Sequence, residues 1–175
     1  MLRRLIIASP LALAAVLTGC EPPEPATTWA DVAPLLAAAD TDPALRAPLV
    51  TRGAQQFRQL GCTTCHRFNQ GMAAGPALGG LIGRRVALLR PPAATADGTR
   101  ADRLPPARWD EVEAVIDRPY LYESITRPRA ALVKGYEAGT QMSWFGWLPA
   151  GDVAALIAYL ESQPGPGTAA GGPRR

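Results

Sequence analysis

Apolar residues repeat at helical spacing in two stretches, one before the middle of the chain and one near its end. Residues three or four positions apart share one face of an α-helix. Gly53 has no side chain, so another helix can approach its backbone closely. The pattern predicts two helices that cross at Gly53, and no segment shows a convincing strand alternation. The apolar positions are Leu45, Leu49, Ala54, Phe57 and Leu60 in the first stretch and Val153, Leu156, Ile157 and Leu160 in the second.

The beginning of the chain is patterned as an export signal. Arg3 and Arg4 precede an apolar run over residues 5–17, which is shorter than the roughly 20 residues of a membrane-spanning helix. The run ends in Leu-Thr-Gly-Cys, which resembles the lipobox of bacterial lipoproteins. We predict a lipoprotein signal peptide over residues 1–19 and a lipid on Cys20. The alternative is an ordinary signal peptide that leaves Cys20 as a chance thiol.

Proline and glycine divide the chain into short segments. The 17 Gly and 18 Pro residues favour short elements arranged around a bulky central group. We predict a lipidated Cys and Pro-rich linker over 20–45, a folded domain over 46–162 and a disordered tail over 163–175. Residues 29–39 have some helical character, interrupted by Pro34, and are assigned to the linker or to a partner contact.

The charge of the chain is nearly balanced once the export signal is set aside. The formal net charge is +3, but removal of Arg3 and Arg4 leaves 16 basic against 15 acidic residues. No run rich in Lys and Arg is interleaved with aromatic residues. The composition therefore gives no support to nucleic-acid binding.

A Cys-x-x-Cys-His motif at residues 62–66 carries the chemistry of this sequence. The thiols of Cys62 and Cys65 are spaced to form thioethers with the two vinyl groups of a haem. The adjacent His66 is then held against the iron as an axial ligand. This motif predicts one covalently bound haem c, and the three cysteines divide into one for lipid and two for haem.

Three other interpretations of the motif compete with the haem interpretation. A zinc site needs about four N or S ligands, whereas the motif offers three. A redox dithiol needs a strand before it and a helix after it, and a disulfide between Cys62 and Cys65 leaves His66 without a purpose. His66 is the one histidine of the sequence, so the sixth iron ligand is Met, water, another small ligand or nothing.

The chain around this motif resembles class I cytochrome c. The later segments are most similar to the cytochrome c domain fused to subunit II of some bacterial cytochrome c oxidases. The resemblance implies an all-α class I cytochrome c fold, with three to five short helices wrapped around one covalent haem. The matching segments are residues 53–57 (GAQQF), 61–66 (GCTTCH), 75–84 (GPALGGLIGR), 120–125 (YLYESI), 133–136 (VKGY) and 155–160 (ALIAYL), with Pro128 and Met142.

The resemblance also implies roles for individual residues. The carbonyl of Pro76 would accept a hydrogen bond from the ring of His66, and Met142 would be the second axial ligand of the iron. Arg84 and Tyr136 would lie near the haem propionates. The residues expected to pack on the haem are Leu78, Leu81 and Ile82.

Two departures from the family pattern stand out. Ser143 follows Met142 where the family usually has proline, and residues 97–113 look like an insertion that adds a surface excursion over one haem edge. Met142 is still favoured as ligand on chain length, because Met72 lies six residues from His66 and its path would have to round the haem and return at once. The alternative for Met142 is a core-filling residue.

These features together predict a single-electron carrier and not an enzyme. A haem with His and Met ligands has no open position for a substrate. The expected partners are the membrane itself, through the lipid, and respiratory redox proteins, namely a quinol-oxidising complex and a terminal oxidase at the periplasmic face of a bacterial membrane. The alternatives are a five-coordinate haem that binds a gas or peroxide, and a structural subunit with a vestigial haem. Trp144, Phe145 and Trp147 are assigned to packing around the Met142 loop, with a partner surface as the alternative.

Overall fold

The computed structural model describes residues 23–69, 73–92, 105–137 and 142–165. The predicted signal peptide, Cys20 and Met72 lie outside these ranges. Within them, no helix has the length and apolar character that crossing a membrane requires. The helices are α1 (Trp29–Thr41), α2 (Pro43–Gln59), α3 (Cys62–Cys65), α4 (Arg118–Thr126) and α5 (Ala150–Glu161), with a 3-10 turn at Pro106–Arg108. The strands are β1 (Arg85–Arg90), β2 (Asp110–Val115) and β3 (Leu132–Val133).

Helices α2 and α5 cross at Gly53, as the sequence predicts. A Cβ atom at Gly53 would lie 2.6 Å from the carbonyl carbon of Ala155 and 2.7 Å from Cβ of Tyr159. Only glycine permits this approach of the two backbones. Phe57, one helical turn further along α2, is buried and packs its ring 5.5 Å from that of Tyr159. This crossing is the centre of the main hydrophobic core.

Helix α1 belongs to the same core, which differs from its assignment to a linker. Val32 and Leu36 are fully buried in the main hydrophobic cluster with residues of α5. The start of α1 is fixed by Asp31, whose carboxylate accepts hydrogen bonds from the backbone N–H and the hydroxyl of Thr28, at 2.8 and 2.7 Å. Asp42 then caps α2 through the backbone N–H of Ala44, at 2.8 Å. Burial of this apolar face holds residues 29–41 on the domain.

A small antiparallel sheet, in the order β2-β1-β3, corrects the expectation that no strand forms. In β1, Leu88 pairs with Val112 of β2 and with Val133 of β3. Strand β2 includes the later part of the predicted insertion over 97–113, while residues 97–104 lie outside the described ranges. All but one of the six residues of β2 are exposed, so this strand covers little apolar surface.

The chain after α5 turns back onto Gly79 and Gly80. The N–H of Gly80 donates to the carbonyl of Gln163 at 3.2 Å. A Cβ atom at Gly79 would lie 2.6 Å from the carbonyl oxygen of Pro164. The first residues of the predicted tail therefore contact the domain, and residues 166–175 lie outside the described ranges.

Candidate cofactor site

A largely apolar cavity of about 540 Å³ lies beside the Cys-x-x-Cys-His motif. This volume falls within the range of about 300–1,000 Å³ that is usual for small-molecule and cofactor pockets. The walls come from α2, α3, α4 and α5, from β1 and β3, and from loop residues between these elements. The sequence-predicted site residues that line it are Cys62, Cys65, His66, Pro76, Leu78, Leu81, Arg84, Tyr136 and Met142.

The single turn α3 presents the motif to one wall of this cavity. It begins after Gly61, whose φ of 76° is a left-handed conformation that favours glycine. The backbone N–H of His66 donates to the carbonyl of Cys62 at 3.0 Å, which closes the turn. Both cysteines are half-buried and unbridged, and burial raises the pKa of the Cys62 thiol. The thiols of Cys62 and Cys65 and the imidazole of His66 therefore all border the same cavity.

The ring of His66 is oriented by the segment that follows it. Its Nδ1 atom lies 2.9 Å from the carbonyl oxygen of Pro76. Because a carbonyl only accepts hydrogen bonds, Nδ1 carries the proton, and Nε2 keeps the lone pair that can ligate a metal. The family resemblance implied this contact of Pro76, and in the structure Pro76 and His66 lie together.

Gly75 has a part in this site that the sequence analysis missed. A Cβ atom there would lie 2.6 Å from Cε1 of His66. The N–H of Gly75 donates to the carbonyl of Cys65 at 2.9 Å, which draws the segment against the motif. Gly75 therefore lets the chain pass close enough for Pro76 to reach the imidazole. The signal available in the sequence was the position of a glycine directly before Pro76.

Arg84 brings a buried cationic donor to the cavity. One of its terminal nitrogens donates to the carbonyl of Ala77 at 2.7 Å. Its Nε atom is buried and has no hydrogen-bond partner among the described residues. Tyr120 lines the cavity as well, and burial raises the pKa of its phenol. A buried donor without a partner is costly, so an anionic group in the cavity fits beside Arg84.

The segment after Met142 closes another side of the cavity. Met142 and Phe145 line it, while Trp144 lies against Gly146, where a Cβ atom would be 2.6 Å from the indole. Trp147 is 53% exposed. Ile82 is also 47% exposed and is not part of the cavity wall, contrary to expectation. Leu81 is buried in the core, and the chain turns two residues later at Gly83, whose φ is 80°. Ile82 therefore lies at the surface between the core and this turn.

This set of groups fits a haem better than a zinc ion. Two unbridged thiols, an imidazole with a fixed tautomer and a thioether surround an apolar space of suitable size. Among the described residues, no three His, Cys, Asp or Glu side chains group together to hold a bare metal ion. The zinc interpretation therefore has no ligand set in this part of the chain.

The family model of cytochrome c matches residues 50–164, more than half of the chain. The chain is a member of the cytochrome c family. A comparison with curated proteins gives no match. The family assignment confirms the expected fold class, to which the structure adds the small sheet, and the expected cofactor, which is covalently bound haem c. This cytochrome is an electron-transfer protein that works through haem.

Proposed function

We propose that this cytochrome carries single electrons in a bacterial membrane respiratory chain, through one haem ligated by His66 and Met142. The observation that carries the ligand assignment is that His66 and Met142 line one cavity. His66 already has the tautomer that ligation requires, because Nδ1 is bonded to Pro76 at 2.9 Å.

Each site residue has a task in this proposal. Cys62 and Cys65 form the two thioethers, and Pro76 keeps the imidazole in one orientation. Arg84 donates to a propionate through its unpaired Nε atom, and Tyr136, which also lines the cavity, contributes to holding the propionates. The haem supplies the reversible one-electron couple between ferric and ferrous iron.

The proposed ligands suit electron transfer for two reasons. If His66 and Met142 both held the iron, no coordination position would be open for a substrate. A neutral thioether ligand also favours ferrous iron and raises the reduction potential. The surrounding side chains then have to exclude water and keep the same geometry in both redox states.

The membrane part of the proposal depends on the sequence before the domain. A lipid on Cys20 would hold the domain at the periplasmic face of a bacterial membrane. Confinement there raises its effective concentration at membrane redox complexes. A quinol-oxidising complex as donor and a terminal oxidase as acceptor are the partners that suit a haem of this type.

A pair of methionine substitutions tests the ligand assignment. In protein matured in a host that attaches haem c, Met142→Ala should remove the absorption band of the oxidised protein that reports a methionine–iron bond. It should also lower the reduction potential and open the iron to carbon monoxide. Met72→Ala is the matched control and should leave all three properties unchanged.

Two results would contradict this assignment. If the wild-type protein lacks the methionine band and binds carbon monoxide, the iron is five-coordinate and a gas- or peroxide-binding function is favoured. If Met72→Ala removes the band and Met142→Ala does not, the ligand is Met72.

A further inference from the structure

The segment over residues 24–28, called here the N-terminal strap, is fastened to the domain beside an exposed tryptophan. The backbone N–H of Ala26 donates to the carbonyl of Gly146 at 2.6 Å. The hydroxyl of Tyr122 donates to the carbonyl of Thr27, also at 2.6 Å. Glu24 forms an ion pair with Arg127, which follows the end of α4. Three separate contacts thus hold five residues of chain.

The strap is continuous with the hydrophobic core and cannot swing as a free linker. Thr27 is only 5% exposed, and Thr28 shares two hydrogen bonds with Asp31 at the start of α1. The ring of Trp29, the first residue of α1, lies 6.0 Å from the ring of Tyr122. Lifting the strap would therefore disturb α1, whose Val32 and Leu36 are fully buried.

The strap places the proposed lipid close to one face of the domain. Cys20 precedes Glu24 by four residues, and four residues span at most about 14 Å when fully extended. A lipid on Cys20 therefore holds Glu24, which is paired with Arg127, within about 14 Å of the bilayer surface, and Ala26, which is bonded to Gly146, within about 21 Å. Other faces of the domain point away from the membrane.

Trp147 is the large apolar side chain that this face exposes next to the strap. It follows Gly146, to which Ala26 is bonded, and it is 53% exposed. Tryptophan is enriched at membrane–water interfaces, because its ring is apolar and its N–H is polar. By contrast Leu45, which is 52% exposed, lies beyond the other end of α1, a helix of 13 residues and therefore about 20 Å long.

We propose that Trp147 sits in the headgroup region of the bilayer and, with the strap, fixes the orientation of the haem domain on the membrane. This inference rests on the proposed lipid anchor at Cys20. The ligand that Trp147 contacts in this proposal is the surface of a lipid bilayer. In this arrangement the haem domain has a defined orientation, with the segment after Met142 on the membrane-facing side. It does not rotate freely at the end of a flexible linker.

Hydroxyl-radical footprinting of the haem-loaded protein tests this orientation. The lipidated chain in phosphatidylcholine vesicles is compared with the full mature chain that carries Cys20→Ser, has no lipid and is kept free of vesicles. We expect oxidation of Trp147 to be about threefold slower in the vesicle sample, because a half-exposed ring loses most of its remaining access to water at the interface. Oxidation of Leu45, the internal control, should be the same in both samples.

The strap itself is tested by a matched pair of variants. Ala26→Pro removes the N–H that bonds Gly146 and should abolish most of the protection of Trp147 in vesicles. Ala26→Gly keeps that N–H and should retain the protection. Full protection in Ala26→Pro would overturn the role of the strap.

The intact mass of the purified protein separates failure of the anchor from failure of this inference. If the mass shows no lipid on Cys20, the proposed anchor and the proposed orientation of Trp147 at the bilayer are both overturned. If the lipid is present and Trp147 is oxidised equally in both samples, or Leu45 is protected as strongly as Trp147, the fixed orientation is overturned and the anchor stands.

Discussion

Asp40 in α1 and Arg118 in α4 are joined by two parallel hydrogen bonds of 2.7 and 2.8 Å. The same guanidinium donates from Nε to Glu161 in α5 at 2.5 Å. Arg46 of α2 adds a bond of 3.0 Å to Asp40. Four helices therefore meet at one cluster of charges, on the end of the core opposite the start of α1.

The Asp40–Arg118 pair should make stability depend on pH in the acid range. Hydrogen bonds from Arg118 hold the pKa of Asp40 below its ordinary value of 3.8. A carboxyl group whose pKa is lower in the folded state than in the unfolded state stabilises the folded protein at pH values above its unfolded pKa. This contribution is lost as the pH falls through the pKa of the folded state. The Asp40 side chain is 42% exposed, so we expect about 1 kcal/mol or less.

The measurement is urea unfolding of the wild type and of Asp40→Asn between neutral pH and the acid range. The difference in the free energy of unfolding should be largest near neutral pH and should shrink below about pH 4. In an Arg118→Gln background the difference should be smaller, with only the contribution of Arg46 remaining. If the difference in the free energy of unfolding between the wild type and Asp40→Asn did not change with pH, ionisation of Asp40 would not be the source of this stability.

Gly53→Ala should destabilise the protein at the crossing of α2 and α5. The added methyl group meets the backbone of Ala155, which cannot rotate away as a side chain would. We expect a loss of about 2–3 kcal/mol in the free energy of unfolding of the haem-loaded protein. Gly151→Ala is the control, because the nearest atom to its new Cβ is Arg52 Nη1 at 4.0 Å. That change should stabilise α5 by up to about 1 kcal/mol, and equal losses in the two variants would argue against the crossing.

Gly75→Ala should weaken the proposed bond between His66 and iron without removing either proposed ligand. The new Cβ would lie 2.6 Å from Cε1 of His66, so the ring has to move away from Pro76. Loss of such an outer hydrogen bond typically costs about 10–100-fold in metal affinity. The low-spin haem spectrum should then be lost at lower guanidinium concentration. Ala73→Gly, two positions away and not part of the cavity wall, should behave as wild type, and an unchanged titration of Gly75→Ala would show that the ring is not displaced.

Arg84→Leu should lower the reduction potential of the haem. A half-buried cation in the wall of the haem cavity would disfavour the extra positive charge of the ferric state, so removing it would stabilise that state. We expect a decrease on the order of 50 mV for this one-electron couple. Arg85→Leu is the control, because the side chain of Arg85 is exposed and forms an ion pair with Glu113. Equal potentials for Arg84→Leu and Arg85→Leu would place Arg84 away from the haem charge.

The features that the sequence predicted correctly depend on local patterns. The apolar spacing with Gly53 predicted the crossing of α2 and α5 because both signals lie within a few helical turns. The Cys-x-x-Cys-His motif predicted the cofactor because its spacing alone brings Cys62, Cys65 and His66 to one wall. The family resemblance added Pro76, which the structure places beside His66.

The features that the sequence missed depend on contacts between distant residues. Strand β1 has no alternation of polar and apolar residues, and it forms because β2 and β3 supply hydrogen bonds from later in the chain. Residues 29–41 have a weak helical pattern interrupted by Pro34, and only the apolar surface of α5 shows that they belong to the core. The part played by Gly75 requires knowing where the His66 ring lies.

The burial of α1 also limits how proteolysis could release this domain from the proposed lipid anchor. A protease that cuts within α1 would detach Val32 and Leu36, which are fully buried in the core, and the cut would have to wait for that core to open. Cleavage ahead of Glu24 disturbs none of these contacts. Any shed form of the cytochrome should therefore begin within the few residues after Cys20 and keep its redox centre intact.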